Sequence, residues 1–194
     1  MLDNLARYNI VLASKSPRRK ELLKMLDIPF TVHTVDGIDE SYPEDLPARE
    51  VAEYISKKKG LAYSSLIKAD ELVITADTVV ILDGKIYGKP KSEREAVEML
   101  MELQGRTHTV ATGVCVATEG KIRSFSTYTD VTFSNLDEKE AQWYVEKYMP
   151  LDKAGAYGIQ EWIGAAAVAA INGSFYNVMG LHVHQLYKIL KSDF

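Results

Sequence analysis

Two adjacent arginines stand at the start of a predicted helix, a position where cations are unusual. The segment Ser16-Pro17-Arg18-Arg19 follows an apolar run that predicts a strand. Ser16 suits the N-cap because its hydroxyl can accept a bond from a free backbone N–H, and Pro17 suits the first helical position. Arg18 and Arg19 then lie at the positive end of the helix dipole, which favours anions. The spacing indicates a phosphate-bearing ligand held by guanidinium groups, with two solvated arginines at an ordinary helix start as the alternative.

An aspartate follows a second apolar run. Residues 72–76 predict a central strand, and Asp77 and Thr78 come directly after it. The carboxyl ends of strands are where open α/β sheets bind ligands, and a carboxylate there can hold a divalent cation or accept a proton from water. Asp77 is therefore a candidate catalytic residue, and an aspartate that only caps a turn is the alternative.

Two glycine-containing segments carry further polar candidates. Gly88-Lys89-Pro90 places a lysine between two conformationally special residues, which suits either contact with a phosphate oxygen or an exposed loop. Residues 151–160 surround Lys153 and Gln160 with small residues and glycines. The backbone there can approach a ligand closely, and the Gln160 amide can read the edge of a base. An ordinary tight loop has the same composition.

Composition narrows the class of protein. The chain has 194 residues, a net charge of −4, 46% hydrophobic residues and 26% charged residues, as expected of a globular protein with a sizeable core. The acidic balance argues against nucleic-acid binding, and a single cysteine excludes a disulfide framework and a cysteine-based zinc site. Neither a membrane-spanning run nor a signal-peptide layout is recognisable, so we expect a cytoplasmic protein with no membrane partner.

Alternating apolar runs and turn signals predict an α/β protein with a mixed sheet, in a single domain of residues 1–194. Hairpins are predicted at Asp83-Gly84 and Glu119-Gly120. Capping boxes beginning at Ser92 and Asp137 predict helices that end at residues 103 and 148. The other predicted helices cover residues 17–26, 48–65 and 177–191. The predicted strands cover residues 10–14, 30–35, 72–76, 79–82, 86–87, 110–118, 122–133 and 165–171.

The motifs, in their order along the chain, resemble those of the Maf family of nucleotide pyrophosphatases. The resemblance runs through residues 12–23, 35–40, 59–60, 76–80, 88–90, 151–160 and 172–181, which is nearly the whole chain. It implies a curved mixed β-sheet with flanking helices, in two lobes around a cleft, similar to the inosine-triphosphate pyrophosphatases. It also implies a homodimer that hydrolyses a nucleoside triphosphate to the monophosphate and pyrophosphate with a divalent cation, Mg²⁺ or Mn²⁺.

The same resemblance implies roles for individual residues. Asp77 would activate the attacking water and, together with Glu40, hold the metal ion. Arg18, Thr78 and Gln160 match the branch specific for dTTP and UTP, which adds modified pyrimidine nucleotides as further expected substrates. The donors expected around the triphosphate are Ser14, Arg18, Arg19, Lys59, Lys89 and Lys153.

One departure from the family pattern and two other functions stay open. Glu161-Trp162 follows Gln160 where many relatives have glycine, which adds bulk at the rim of the expected base pocket. A Maf enzyme of 7-methyl-GTP specificity is one alternative, although that branch typically has Trp at the position of Arg18. The other alternative is a nucleotide-binding regulator of septum formation and cell division that acts without turnover.

Overall fold

The computed structural model describes residues 2–64 and 67–194. None of the helices in these residues combines the length and the apolar character that a transmembrane span requires. The strands are β1 (Asn9–Leu12), β2 (Thr31–Val32), β3 (Glu71–Leu82), β4 (Lys85–Tyr87), β5 (Thr107–Thr118), β6 (Lys121–Phe133) and β7 (Val168–Asn172). The α-helices are α1 (Pro17–Lys24), α2 (Ala48–Ser64), α3 (Glu93–Leu103), α4 (Glu138–Tyr148), α5 (Trp162–Ala166), α6 (Phe175–Met179) and α7 (Val183–Asp193).

A mixed sheet organises the fold. Its order is β2-β1-β3-β5-β6-β7, and β4 pairs with β3. β1 runs parallel to β2 and β3, whereas β4 and β7 run antiparallel to β3 and β6. Asp83 and Gly84 join β3 to β4 with φ values of 51° and 79°, as a two-residue type I′ hairpin requires. The predicted α/β class, the mixed sheet and this hairpin are confirmed.

The chain divides into two compact units. The first comprises Met1–Asp77, Thr112–Thr127 and Gly180–Phe194, and the second comprises Thr78–Ala111 and Tyr128–Met179. Strands β3, β5 and β6 contribute residues to both units.

In the first unit, α1 begins as its sequence predicts. Ser16 is the N-cap, and its hydroxyl accepts the backbone N–H of Arg19 at 3.5 Å. Pro17 occupies the first helical position, and Leu22 and Leu23 are completely buried. These contacts fix the start of α1, so that its first turn, with both arginines, is separated from the end of β1 by four residues.

In the second unit, α3 and α4 pack against each other, and each has a side-chain cap at its N-terminus. The Ser92 hydroxyl accepts the N–H of Glu95 at 3.2 Å, while the Glu95 carboxylate accepts the N–H of Lys91 rather than that of Ser92. Asp137 and Glu140 form the complete reciprocal box before α4. The core of this unit is apolar, and beside it the rings of Trp143 and Trp162 meet edge to face with centroids 4.9 Å apart.

Several predicted elements differ in extent from those of the structure. Residues 30–35 form only the two-residue strand β2. Residues 165–171 are divided between α5 and β7, because the alanine-rich segment first completes a helical turn. The predicted closing helix 177–191 is two helices, α6 and α7, since Gly180 between them has a φ of 114° that no α-helix accepts. The predicted end of the helix 48–65, Ser65, lies outside the described residues.

Candidate active site

Asp77 lies within β3 and not after it, so the predicted strand end at residue 76 is wrong. The parallel pairing between β1 and β3 ends at Leu12 and Ile74, which leaves Asp77 beyond the last residue of β1 while β3 itself continues. Asp77 and Thr78 are the two partly exposed residues in an otherwise buried run from residue 72 to residue 82. The polar pair that interrupts the apolar run therefore marks the end of the neighbouring strand.

Lys59 on α2 joins two carboxylates of the first unit. Its Nζ lies 2.7 Å from Asp77 Oδ1 and 2.9 Å from Glu40 Oε1. The side chains of Lys59 and Asp77 are 14% and 15% exposed, whereas that of Glu40 is 52% exposed. The structure thus brings together three of the predicted site residues, with one positive charge between two negative ones.

Arg19 is fixed beside this cluster by backbone carbonyls. Its Nη1 donates to Ala76 O at 2.8 Å and to Ser14 Oγ at 3.4 Å, and its Nε donates to Gly180 O at 2.8 Å. Burial lowers the pKa of the Arg19 guanidinium, and the charge of Asp77 opposes that shift. Because Ala76 directly precedes Asp77, the contact with Ala76 keeps the guanidinium close to Asp77. Ser14 is buried, and its hydroxyl accepts a bond from Arg19; its predicted contact with phosphate stays a prediction.

Arg18, a predicted site residue, is partly exposed on the first turn of α1, and Asp39 is exposed. Asp39, which precedes Glu40, pairs with Lys58 at 2.7 Å, and the hydrogen bond from Lys58 lowers the pKa of Asp39. Lys58 and Lys59 therefore separate the two adjacent carboxylates into different ion pairs.

The second unit carries the remaining predicted residues in different surroundings. Lys89 and Gln160 are exposed, and Thr78 is partly exposed. Lys153 is 8% exposed, and its Nζ lies 2.8 Å from Asp152 Oδ1 and 3.2 Å from Glu161 Oε1. The Lys153 ammonium is therefore compensated by two carboxylates, which the sequence did not indicate.

A hydrogen-bonded network in the second unit was missed by the sequence reasoning. The Tyr144 hydroxyl donates to Glu161 Oε2 and accepts the N–H of Gly158 at 3.0 Å. Burial raises the pKa of Tyr144, and the hydrogen bond to Glu161 raises it further. The hydroxyl therefore keeps its proton. Helical spacing could place Tyr144 in the core, but nothing in the sequence indicates that it meets Glu161.

Tyr157 of the predicted glycine-rich segment is anchored in the core. Its hydroxyl lies 2.8 Å from Nε2 of the buried His108, and its ring meets that of Phe133 edge to face. Burial lowers the pKa of His108 to about 4, and its Nδ1 has no hydrogen-bond partner among the described residues. His108 is therefore neutral at physiological pH and holds the segment on which Gln160 is exposed.

Known proteins and a known family have sequences similar to this chain, and the family is the one that the sequence motifs resemble. The profile of a family described as Maf-like protein matches residues 9–193. A dTTP/UTP pyrophosphatase of Bacteroides thetaiotaomicron is 54% identical over 191 residues, 98% of this chain and 99% of that protein. A dTTP/UTP pyrophosphatase of Porphyromonas gingivalis is 53% identical over 193 residues, 98% and 97% of the two chains. The solved Ham1 protein of Staphylococcus aureus, 17% identical, superimposes with a TM-score of 0.59 over 96% of this chain and 100% of that one, which confirms the predicted fold.

Proposed function

This chain belongs to the Maf family, and from that membership we propose that it hydrolyses dTTP and UTP to the nucleoside monophosphate and pyrophosphate. The observation that best supports the proposal is the cluster of the first unit, in which Lys59 contacts Asp77 and Glu40. Arg19 adds a second partly buried cation beside it. The relatives' names suggest the pyrimidine nucleotides.

We assign the activation of water to Asp77. Lys59 holds Asp77 Oδ1 and so fixes the orientation of the carboxylate, which makes Oδ2 the atom that accepts the proton of the attacking water. The water oxygen bonds to one phosphorus of the α,β-bridge as the P–O bond to the bridging oxygen breaks, which yields the monophosphate and pyrophosphate. Arg19 and Lys59 supply fixed positive charge for the phosphates, and positioning with charge stabilisation provides most of the catalysis in such reactions.

The chemistry of the acidic pair suits a divalent cation. Asp77 and Glu40 each place a carboxylate oxygen within 2.9 Å of one positive centre, the Lys59 ammonium. Magnesium is commonly held by one or two carboxylates, with phosphate oxygens and water as the other ligands. Within residues 2–64 and 67–194 no group of three or more His, Cys, Asp or Glu side chains is arranged to hold a metal ion, so the nucleotide would complete the set. A bound Mg²⁺ or Mn²⁺ would neutralise phosphate charge and orient the leaving group.

Recognition of the nucleotide is assigned to exposed and partly exposed side chains. We propose that Lys89 contacts phosphate and that Arg18, Thr78 and Gln160 favour a uracil or thymine ring. Such a ring presents alternating carbonyl and N–H groups, which an amide complements. We propose the same phosphate role for Lys153, whose ammonium pairs with Asp152 and Glu161 as that of Lys59 pairs with Asp77 and Glu40.

The test is a substrate panel with separated products. The purified protein is incubated with Mg²⁺ or Mn²⁺ and each of dTTP, UTP, CTP, GTP, ATP and 7-methyl-GTP, and the monophosphate and pyrophosphate are both measured. Selective conversion of dTTP and UTP is the expected result. Turnover of 7-methyl-GTP or of purines alone would overturn the pyrimidine assignment, and binding without any turnover would favour a regulator.

A further inference from the structure

The Glu161 carboxylate connects two side chains of the second unit, Lys153 and Tyr144. Its Oε1 lies 3.2 Å from Lys153 Nζ, and its Oε2 accepts the Tyr144 hydroxyl. The Glu161 side chain is 17% exposed, so both contacts are largely shielded from water. Because each carboxylate oxygen is committed to a different partner, the position of Glu161 is fixed from two sides.

The same contacts fix the turn that precedes Glu161. The N–H of Glu161 donates to Gly158 O at 2.9 Å, and the N–H of Gly158 donates to Tyr144 Oη at 3.0 Å. A Cβ added at Gly158 would lie 2.8 Å from Glu161 Cδ and 2.9 Å from Gln160 Nε2. The amide nitrogen of the exposed Gln160 therefore lies close to a glycine whose own N–H is held by Tyr144.

We propose that Glu161 is a positioning residue that, through Tyr144 and Gly158, holds the Gln160 amide in one orientation and thereby sets the preference for uracil over cytosine. A carboxamide held in one orientation presents a single order of donor and acceptor, whereas a rotating carboxamide presents both. Uracil and cytosine differ in that order, since O4 of uracil accepts where N4 of cytosine donates. This inference rests on the proposed function.

The experiment compares Glu161→Gln and Tyr144→Phe with the wild-type chain on UTP, dTTP and CTP. Glu161→Gln removes the charge that Lys153 pairs with, and Tyr144→Phe removes only the hydroxyl between Glu161 and Gly158. We expect the ratio of kcat/KM for UTP to that for CTP to fall about five- to tenfold, as loss of one oriented hydrogen bond predicts. Turnover of CTP should rise as that of UTP falls, and the change should lie in KM because the Asp77 cluster is untouched.

Matched controls separate this role from ordinary structural damage. Tyr148→Phe makes the same change one turn later on α4, and Glu146→Gln removes an exposed carboxylate from that helix. Both should keep the wild-type ratio. A second measurement needs no turnover: hydrogen exchange of the Gly158 amide should accelerate in Tyr144→Phe and remain unchanged in Tyr148→Phe.

The outcomes that overturn the inference differ from those that overturn the function. If the wild-type chain prefers UTP and both variants keep the UTP-to-CTP ratio within about twofold, Glu161 has no positioning role. If the wild-type chain hydrolyses neither dTTP nor UTP, the proposed function fails. In that case unchanged Gly158 exchange in Tyr144→Phe would show that the network does not hold the turn either.

Discussion

The buried histidine of the second unit gives the stability of this protein a predictable dependence on pH. Burial lowers the pKa of His108 from 6.5 to about 4, with the charge of Asp130 opposing the shift. In the unfolded chain this histidine binds a proton near pH 6.5, whereas in the folded chain it does so only near pH 4. Its contribution to the free energy of unfolding is therefore fully present above pH 6.5 and is lost as the pH falls towards 4. Linkage over that window gives a loss of about 2 kcal/mol between about pH 7.5 and about pH 5.

The assay is urea unfolding of the wild-type chain and of His108→Gln at those two pH values. Glutamine does not titrate and can still offer its amide to the Tyr157 hydroxyl, so the variant should lose about 2 kcal/mol less than the wild type on acidification. His33→Gln is the control because His33 is exposed, and it should behave as the wild type does. Equal losses in the wild type and in His108→Gln would refute the reasoning, since the acid sensitivity would then come from other groups.

Three further outcomes follow from single positions. Asp77→Asn should reduce dTTP turnover by about 10²- to 10⁴-fold with an unchanged melting temperature, and wild-type rates would remove Asp77 from the mechanism. Gly113→Ala should unfold or strongly destabilise the protein, because its Cβ would lie 2.3 Å from the backbone of α2; Gly120→Ala, with open space around it, should melt as the wild type does. Gly60→Ala would bring a Cβ to 2.6 Å from Cys115 Sγ, so it should lower the melting temperature, and adding Cys115→Ala should restore it; a double variant no more stable than Gly60→Ala would contradict that contact.

The elements that the sequence predicts well are those defined by neighbouring residues. Ser16 and Pro17 mark the start of α1 because a cap and a first-turn proline act over three residues. Asp83-Gly84 marks its hairpin because two positive φ values are needed at adjacent positions. Local sequence therefore suffices to predict the first turn that carries Arg18 and Arg19.

The remaining features depend on residues far apart in the chain. Lys59 and Asp77 are 18 residues apart, and Tyr144 and Glu161 are 17 apart, so no local pattern pairs them. The length of β3 likewise depends on its neighbours, because its pairing passes from a parallel partner, β1, to an antiparallel one, β4. Composition indicates which residues can do chemistry, while tertiary pairing decides which of them meet.

The edge-to-face indole pair has a spectroscopic consequence. The chain has two tryptophans, Trp143 and Trp162, and both belong to the second unit, so all indole emission originates there. Far-ultraviolet circular dichroism, by contrast, reports the helices of both units. Unfolding followed by the two signals therefore measures cooperativity directly: coincident curves would mean that both units lose structure in one transition, and displaced curves would mean that the emission follows the second unit alone.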